Sequence, residues 1–239
     1  MSQSAANTPG LPGTGRLDDE VPYLTRLRPV DRATLLALGG EARYAAREPV
    51  IRQHEPSTHV ALVLTGRLKV TAHSRQAVEA LLALRGPGDL IGERSALQAT
   101  PRSATVTALV PSGLVLVTAE RFVAYLDEHP HATRQLTTLM SDRLRAGDQR
   151  RLEYGTGQVR VRLAKLLLQL ADSFGEEGAD GITVGVPLTH DEIAATVSSS
   201  RESVTKALAE LRGRNVLRTE RRRLVLLRPE VLRRMAAVG

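Results

Sequence analysis

Residues 188–227 read LTHDEIAATVSSSRESVTKALAELRGRNVLRTERRRLVLL. Capping-box patterns, in which a hydroxyl and a glutamate three residues later satisfy each other's backbone amides, begin at Thr189 and Ser199. They predict two short helices joined by a tight turn at 197–198, which is the geometry of a helix-turn-helix. The two apolar runs around the basic residues that follow predict a β-hairpin, so the whole segment reads as a winged helix-turn-helix.

The second predicted helix has an apolar face and a polar face. Its apolar face is formed by Val204, Ala207, Leu208 and Leu211. The N-terminal half therefore projects outward the side chains of Arg201, Glu202, Thr205 and Lys206. Arginine can donate two hydrogen bonds to guanine, glutamate can accept one from cytosine, and lysine can reach guanine or phosphate. These residue types at these positions predict base recognition in the major groove of double-stranded DNA.

Further contacts are predicted to the DNA backbone. Hydroxyls near helix N-termini favour phosphate because free amides and the helix dipole already do so. The predicted phosphate-binding residues are Thr189, Ser200 and Ser203, together with Arg221 and Arg222 of the wing.

The positive charge of the chain is concentrated in this segment. The 239 residues carry a formal net charge of +7, and only three of the 33 basic residues are lysine. GC-rich coding also produces such an arginine bias, so position must decide its meaning. Residues 201–223 hold eight basic and three acidic residues, a net of +5. A basic cluster on a predicted recognition helix and wing indicates a nucleic-acid partner.

Upstream of about residue 130 the pattern is that of short strands. Six or more apolar or alternating runs, separated by Gly and Pro, predict an all-β sandwich or roll. A helical pattern between Tyr23 and Leu38 precedes them. Residues 1–20 are rich in Pro, Gly, Ser and Thr and are predicted to form a disordered tail.

After Pro130 the apolar spacing becomes helical. Leu136, Leu139, Met140 and Leu144 are predicted to share one face of a long helix. Gly147 has two interpretations: a partner backbone or ligand approaches closely there, or the helix breaks. From about 157 onward we predict a helix (VRLAKLLLQLADSF), a loop (GEEGADG) and a strand (ITVGVPL) before the helix-turn-helix.

These segments, in this order, resemble the CRP/FNR superfamily of transcription regulators. Residues 188–227 resemble its winged helix-turn-helix, whereas IRQHEPSTHVALVLTGRLKV (51–70) and GPGDLIGERSALQATPRSATVTAL (86–109) resemble the first hairpins and the phosphate-binding cassette of its effector domain. The resemblance covers about 21–232. It implies an α+β chain with a cyclic-nucleotide-binding-type β-roll (21–130), a dimerisation helix (131–156) and a winged helix-turn-helix domain (157–239).

The resemblance also implies a function. Such a protein is a homodimer that binds a pseudo-palindromic operator, acts with RNA polymerase and is controlled allosterically by a nucleotide-like effector. Two alternatives stay open. One is an effector-independent DNA-binding regulator with an empty roll, and the other is a nucleotide-binding module that acts through protein partners.

The cassette has the chemistry of an anion site. Arg102 and Ser103 beside the amides of a short helix can bind phosphate, and Glu93 can accept a ribose hydroxyl. The resemblance implies that Gly92, Glu93, Arg102 and Ser103 hold the phosphate and ribose of a cyclic nucleotide such as cAMP. The alternative is that Glu93 and Arg102 pair with each other in a roll that binds nothing.

The chain departs from the cAMP-binding pattern at several positions. Gly147 and Asp148 stand where cAMP-binding members have a Thr-Ser pair that contacts adenine, and Arg94 stands where an apolar residue is usual. These changes favour another nucleotide, either one with more phosphate or a cyclic dinucleotide, unless Arg94 is a surface residue paired with a carboxylate. Lys206 replaces an arginine, which predicts a different operator. Ser198 replaces the usual turn glycine, and Arg221 replaces a wing glycine.

Composition excludes several other functions. With no cysteine, the chain has no disulfide, thiolate metal site or cysteine nucleophile. His54, His59 and His73 lack the tight spacing of a metal site, so no metal is predicted. His190, Asp191 and the serines at 198–200 lack a nucleophile elbow, so no enzyme is predicted. Without a signal peptide or long apolar run, a cytoplasmic protein with no membrane partner is expected.

Overall fold

The computed structural model describes residues 17, 21–73, 79–155, 157–220 and 223–237. Apart from Leu17, the predicted tail at 1–20 lies outside the described residues, and so do Arg221 and Arg222. The described chain forms two compact units, one ending at Arg145 and the other beginning at Ala146. Each unit is considered separately.

The first unit begins with two short helices, α1 (Tyr23–Arg26) and α2 (Pro29–Ala37). The helical pattern predicted between Tyr23 and Leu38 is therefore confirmed, as two helices with a break between them. Pro29 explains the break, because a residue before proline is disfavoured in the helical region. Arg28 adopts an extended backbone with ψ 150°, and Pro29 then starts α2 at a position where it needs no N–H donor.

Two antiparallel sheets follow and form the predicted roll. One has the strand order β1-β8-β3-β6 and the other β2-β7-β4-β5. The strands are β1 (Gly40–Tyr44), β2 (Pro49–Ile51), β3 (His59–Thr65), β4 (Leu68–His73), β5 (Glu79–Arg85), β6 (Leu90–Ile91), β7 (Thr105–Ala108) and β8 (Ser112–Thr118). Helix α3 (Glu93–Gln98) lies between β6 and β7 in the chain.

The side chains of β3 alternate between two apolar cores. Val60 and Leu62 pack in a core that includes residues of the helices, such as Phe122. Ala61 and Val63 pack in a second core formed by residues of the two sheets. Period-two alternation is the reason: successive side chains of a strand point to opposite faces.

Helix α4 (Ala119–Glu128) begins at Thr118, whose side chain caps it, and α5 (Pro130–Gly155) follows. The four apolar residues predicted to share one face lie on the continuous helix α5, but this face is only partly buried within the described chain. Leu136 and Leu139 are buried in the roll unit, whereas Met140 and Leu144 are 36% and 66% exposed. Since each residue advances about 100° around a helix, Met140 and Leu144 lie about 40° and about 80° from Leu136, at the edge of the face that the roll buries. α5 also continues through Gly147, so of the two interpretations of this glycine the helix break is wrong.

The second unit packs helices against a small sheet with strand order β11-β12-β10-β9. Its elements are α6 (Val159–Phe174), β9 (Gly175–Gly178), β10 (Gly181–Val184), α7 (His190–Thr196), α8 (Arg201–Gly213), β11 (Leu217–Glu220), β12 (Arg223–Leu226) and α9 (Pro229–Ala237). The predicted helix at 161–174 and the predicted wing hairpin are confirmed as α6 and β11–β12.

The predicted loop GEEGADG is wrong over 175–178, which form the edge strand β9 paired with β10. All four residues of β9 are exposed. A strand that faces water on both sides carries no apolar alternation, so only its backbone pairing reveals it. Among the described helices, none is both long and apolar enough to cross a bilayer.

Candidate nucleic-acid interface and effector site

The first capping box of the helix-turn-helix is confirmed. Thr189 Oγ1 accepts a hydrogen bond from the backbone N–H of Glu192 at 3.1 Å, and Glu192 Oε2 accepts one from the Thr189 N–H at 2.7 Å. Glu192 is buried. The backbone N–H groups of Thr189 and Glu192 therefore both have hydrogen-bond partners within the capping box.

The second capping box, predicted at Ser199, is wrong. Ser200 caps α8, and its side chain accepts a hydrogen bond from the Ser203 N–H at 3.2 Å. The Ser199 N–H instead donates to the carbonyl of Ala194 at 2.8 Å, which closes the turn after α7. Three consecutive serines offer equivalent caps in the sequence, and the length of the turn selects the third.

Ser198 has the left-handed backbone expected at the turn, with φ 50°. A residue with a Cβ in this region costs about 1 kcal/mol. The turn is therefore formed by a serine at a position that glycine occupies without strain.

The faces of α8 are those predicted. The apolar set is buried, and the exposed set is Arg201, Glu202, Thr205 and Lys206. Two of these side chains contact residues of α7. Arg201 Nη1 lies 3.2 Å from Asp191 Oδ2. Thr205 Oγ1 lies 3.0 Å from His190 Nδ1. Sequence reasoning missed Asp191 and His190, because the crossing of α7 and α8 leaves no local pattern.

The wing arginines at 218 and 223 already have carboxylate partners. Glu220 accepts hydrogen bonds from Arg218 at 3.0 Å and from Arg223 at 2.5 Å. These bonds, with that from Arg223 the stronger, hold the pKa of Glu220 below its usual range. Arg218 also contacts Asp180 at 3.2 Å. Part of the positive charge counted in the sequence is thus locally neutralised.

In the roll unit, Gly92 and Arg102 form a tight cradle. Gly92 has a left-handed backbone with φ 83°, and a Cβ placed on it would lie 2.5 Å from Arg102 Nη1. Arg102 is 3% exposed. Its Nη2 donates to the carbonyl of His59 at 2.5 Å and its Nη1 to that of Gly92 at 3.3 Å. Only glycine at 92 leaves space for the guanidinium in this position.

Arg102 is a buried cation without a carboxylate ion pair among the residues that the structure describes. Its burial lowers the pKa of the guanidinium, an effect that Glu93 and Glu55 oppose through space. A buried charge is costly unless it is paired. The cradle therefore fits an anionic group such as a phosphate.

The alternative in which Glu93 pairs with Arg102 is wrong. Glu93 Oε1 instead accepts a hydrogen bond from Arg143 Nη1 of α5 at 2.6 Å, and Arg143 Nη2 donates to the carbonyl of Leu90 at 2.8 Å. Sequence reasoning missed Arg143. Its one available signal was a cation on the helix face shared with Leu136 and Leu139, which face the roll.

The other predicted effector residues are more exposed to solvent than Arg102 and Glu93. Arg94 and Ser103 are exposed. Gly147 lies in the interior of α5 with no atom near its added Cβ, and Asp148 pairs with Arg151 at 3.3 Å.

The chain matches two protein-family models in succession. They are the cyclic nucleotide-binding domain, over residues 41–129, and the Crp-like helix-turn-helix domain, over residues 161–235. It is 30% identical to the CRP-like cAMP-activated global transcriptional regulator of Mycobacterium tuberculosis, over 78% of this chain and 84% of that protein. The chain belongs to the CRP/FNR superfamily of transcription regulators.

Other members of the CRP/FNR superfamily give the same result. The cyclic AMP receptor protein of Thermus thermophilus is 29% identical, over 73% of this chain and 78% of that protein. The crystal structure of a CRP-family transcriptional regulator from the same organism is 28% identical and superposes with a TM-score of 0.70, covering 82% of this chain and 96% of that chain. The protein described here is therefore a DNA-binding transcription regulator whose β-roll is of the cyclic-nucleotide-binding type.

Proposed function

We propose that the protein is a homodimeric, cytoplasmic regulator whose affinity for a pseudo-palindromic operator is controlled by an anionic, nucleotide-like effector in the β-roll. In this proposal it acts on transcription together with RNA polymerase. The observation that carries effector control is the buried Arg102 guanidinium, which lies beside the Gly92 cradle without a carboxylate ion pair among the described residues.

The proposed DNA contacts divide into two kinds. Base recognition falls to Arg201, Glu202 and Lys206, which are exposed on the N-terminal half of α8. Backbone contacts fall to Thr189, Ser200, Ser203, Arg221 and Arg222, of which the two arginines lie outside the described residues. Asp191 supports this assignment because it contacts the Arg201 guanidinium and orients it.

The proposed effector site combines the cradle with its neighbours. Arg102 and Ser103 bind the anionic group and Glu93 a hydroxyl, and the exposed Arg94 follows Glu93 directly in the sequence. Gly147 and Asp148, which belong to the other unit, stay predicted effector residues. The relative from Mycobacterium tuberculosis is described as cAMP-activated, which makes cyclic nucleotides the first class to test. The Glu93–Arg143 bond supports a route to α5, because a hydroxyl that binds Glu93 changes its contact with that helix.

The allosteric mechanism is a population shift. An effector can move the equilibrium between two arrangements of the dimer only by binding one of them more tightly. Both recognition helices must reach major-groove half-sites about one helical turn apart for tight operator binding. The bound effector is proposed to favour the arrangement with that spacing.

DNA recognition is tested by selection from a random duplex library, followed by affinity measurements at several salt concentrations. We expect enrichment of a two-fold symmetric sequence and an affinity that falls steeply with salt. Arg201→Ala should relax base preference at one position per half-site, by about 1–3 kcal/mol. Arg212→Ala, at the far end of α8, is the matched control and should leave base preference unchanged. Selection without enrichment would contradict the proposal.

Effector control is tested by calorimetry with cAMP, cGMP and cyclic di-GMP, followed by operator binding with and without each compound. We expect one compound to bind and to change operator affinity, and Arg102→Gln to abolish both effects. Operator binding that ignores every compound would favour the effector-independent regulator instead.

A further inference from the structure

His59 occupies a distinctive position at the start of β3. The odd-numbered residues after it on this strand, Ala61 and Val63, face the core between the two sheets. Strand alternation places the His59 side chain on that same face. Its Nε2 is buried and has no hydrogen-bond partner among the described residues, while its Nδ1 bonds to Thr58 Oγ1 at 2.9 Å.

A buried polar atom without a partner is uncommon in folded proteins and calls for an explanation. Ser57 Oγ, two residues earlier, is likewise buried and unpartnered within the described chain. The two atoms come from consecutive odd positions. They provide hydrogen-bonding capacity that the described protein does not use.

The same residue is coupled to the effector cradle. The His59 carbonyl accepts the 2.5 Å bond from Arg102 Nη2, and a Cβ added to Gly92 would lie 3.3 Å from this carbonyl. The imidazole is also close enough to feel the guanidinium charge: burial first, and then Arg102, lower the pKa of His59. Without an anion nearby, the ring is therefore held neutral at ordinary pH.

We propose that His59 is a further effector-binding residue, whose Nε2 hydrogen-bonds an anionic oxygen of the ligand at Arg102, and that the ligand binds together with a proton. This inference rests on the proposed effector site. It assigns the ligand class as an oxyanion, because only an added negative charge reverses the electrostatic effect of Arg102 on the ring.

The charges around the ring determine the direction of the effect. Arg102 is the cation that opposes protonation, and Glu93 and Glu55 are the carboxylates that act on Arg102. Arg143 Nη1 donates a 2.6 Å hydrogen bond to Glu93, so the direct partner of this carboxylate is Arg143. A bound phosphate offsets Arg102 and favours the imidazolium, so by linkage the ligand affinity rises as pH falls. The increase is limited to tenfold per pH unit, the value for one proton.

The test is titration calorimetry on the full chain, with cAMP, cGMP and cyclic di-GMP, in buffers of different ionisation enthalpy. A cyclic phosphodiester keeps its charge between pH 6 and 8, so any proton taken up is bound by the protein. We expect a measurable proton uptake, of at most one proton per site, in the wild type. His59→Gln should bind without proton uptake and at least tenfold more weakly, whereas His73→Gln, a control at the end of β4, should behave as the wild type does.

The outcomes separate this inference from the proposal beneath it. Binding without proton uptake, or uptake that persists in His59→Gln, overturns the role of His59 and leaves the effector site standing. Binding of none of the three compounds overturns both. The wild-type proton count is decisive even if His59→Gln fails to fold, and His59→Asn then provides the second variant for assigning the proton.

Discussion

Gly92 and Arg102 illustrate how single residues build the effector cradle. The left-handed backbone at Gly92 is accessible to glycine without strain, and the missing Cβ leaves room for a buried guanidinium. Ten residues separate the two along the chain. The contact between the two residues therefore requires that the intervening segment bring Arg102 back beside Gly92. The guanidinium needs the space that glycine leaves.

Gly92→Ala should disable the cradle at modest cost in stability. The added Cβ would lie 2.5 Å from Arg102 Nη1, and the positive φ costs about 1 kcal/mol for alanine. Because the contacting atom ends a flexible side chain, Arg102 moves while the backbone stays. We expect a loss of effector affinity of tenfold or more by calorimetry, with unfolding in urea shifted by about 1 kcal/mol.

Gly40→Ala is the matched control for this substitution, since no atom lies within 4 Å of a Cβ there and its φ is not in the positive range. It should bind effector as the wild type does. Unchanged effector affinity in Gly92→Ala would show that Arg102 does not hold the ligand.

Helix α5 is the element in which the sequence pattern and the structure differ most informatively. Its buried side belongs to the roll unit, whereas Met140 and Leu144 expose an apolar stripe. Gly147 lies within α5, and a Cβ added to it would meet no atom of the described chain within 4 Å. The glycine therefore has no packing role within the described chain.

Gly147→Ala should consequently stabilise α5. Alanine is favoured over glycine by up to about 1 kcal/mol in a helix interior. We expect a correspondingly higher midpoint in thermal or urea unfolding, with α-helical circular dichroism retained. A lower stability that depends on protein concentration would instead indicate that a partner backbone approaches at this position, which is the other interpretation of Gly147.

The start of α5 is tied to α2 by a buried carboxylate. Asp31 accepts hydrogen bonds from Arg28 at 2.8 and 3.1 Å and lies 3.2 Å from His131 Nδ1, while its backbone carbonyl accepts from the Tyr125 hydroxyl. The hydrogen bond from Arg28 is the main reason that the pKa of Asp31 lies below its usual value.

The stability of the roll unit should depend on this carboxylate in acid. A group whose pKa is lower in the folded state contributes stability above its unfolded pKa, near 4, and loses it as pH falls through the folded value. Urea unfolding between pH 6 and pH 2 should show a smaller acid loss in Asp31→Asn than in the wild type. Asp127→Asn, on the exposed face of α4, should keep the wild-type dependence; equal losses in all three proteins would refute the assignment.

At the scale of the whole molecule, charge and oligomerisation act together. A net charge of +7 attracts DNA in general, but a symmetric operator requires two recognition helices on one particle. The exposed stripe on α5 supports the proposed dimer because large apolar side chains such as Leu144 gain free energy when a second copy covers them.

Leu144→Asp should convert the proposed dimer into monomers. The introduced charges would face each other in an apolar contact, which is costly to desolvate. Sedimentation velocity should report half the wild-type mass, and operator affinity should fall while the salt dependence weakens as fewer phosphates are contacted. Val30→Asp, at an equally exposed residue of α2 (65% against 66%), is the control and should stay dimeric. A dimeric Leu144→Asp would exclude this stripe as the interface.

The order of the elements and the two faces of α8 follow from the sequence alone, because apolar periodicity records which side of a helix is buried. The sequence also predicted the wing and the first capping box, whose partners lie within a few residues. The three-dimensional structure is needed to show that Ser200 rather than Ser199 caps α8 and that residues 175–178 form an exposed edge strand. Both features depend on turn length and backbone pairing, which side-chain patterns do not reveal.

The ion pairs between residues far apart in the chain depend on the tertiary structure. Glu93 bonds to Arg143, fifty residues away, rather than to Arg102, and Arg201 contacts Asp191 on the neighbouring helix. The candidate anion site could be predicted from the residues of the cassette. The sequence could not show that, among the described residues, Arg102 has no carboxylate ion pair and His59 Nε2 has no hydrogen-bond partner. Residue types show which charges are available, whereas the distances that pair some and leave others free arise only when segments far apart in the chain pack together.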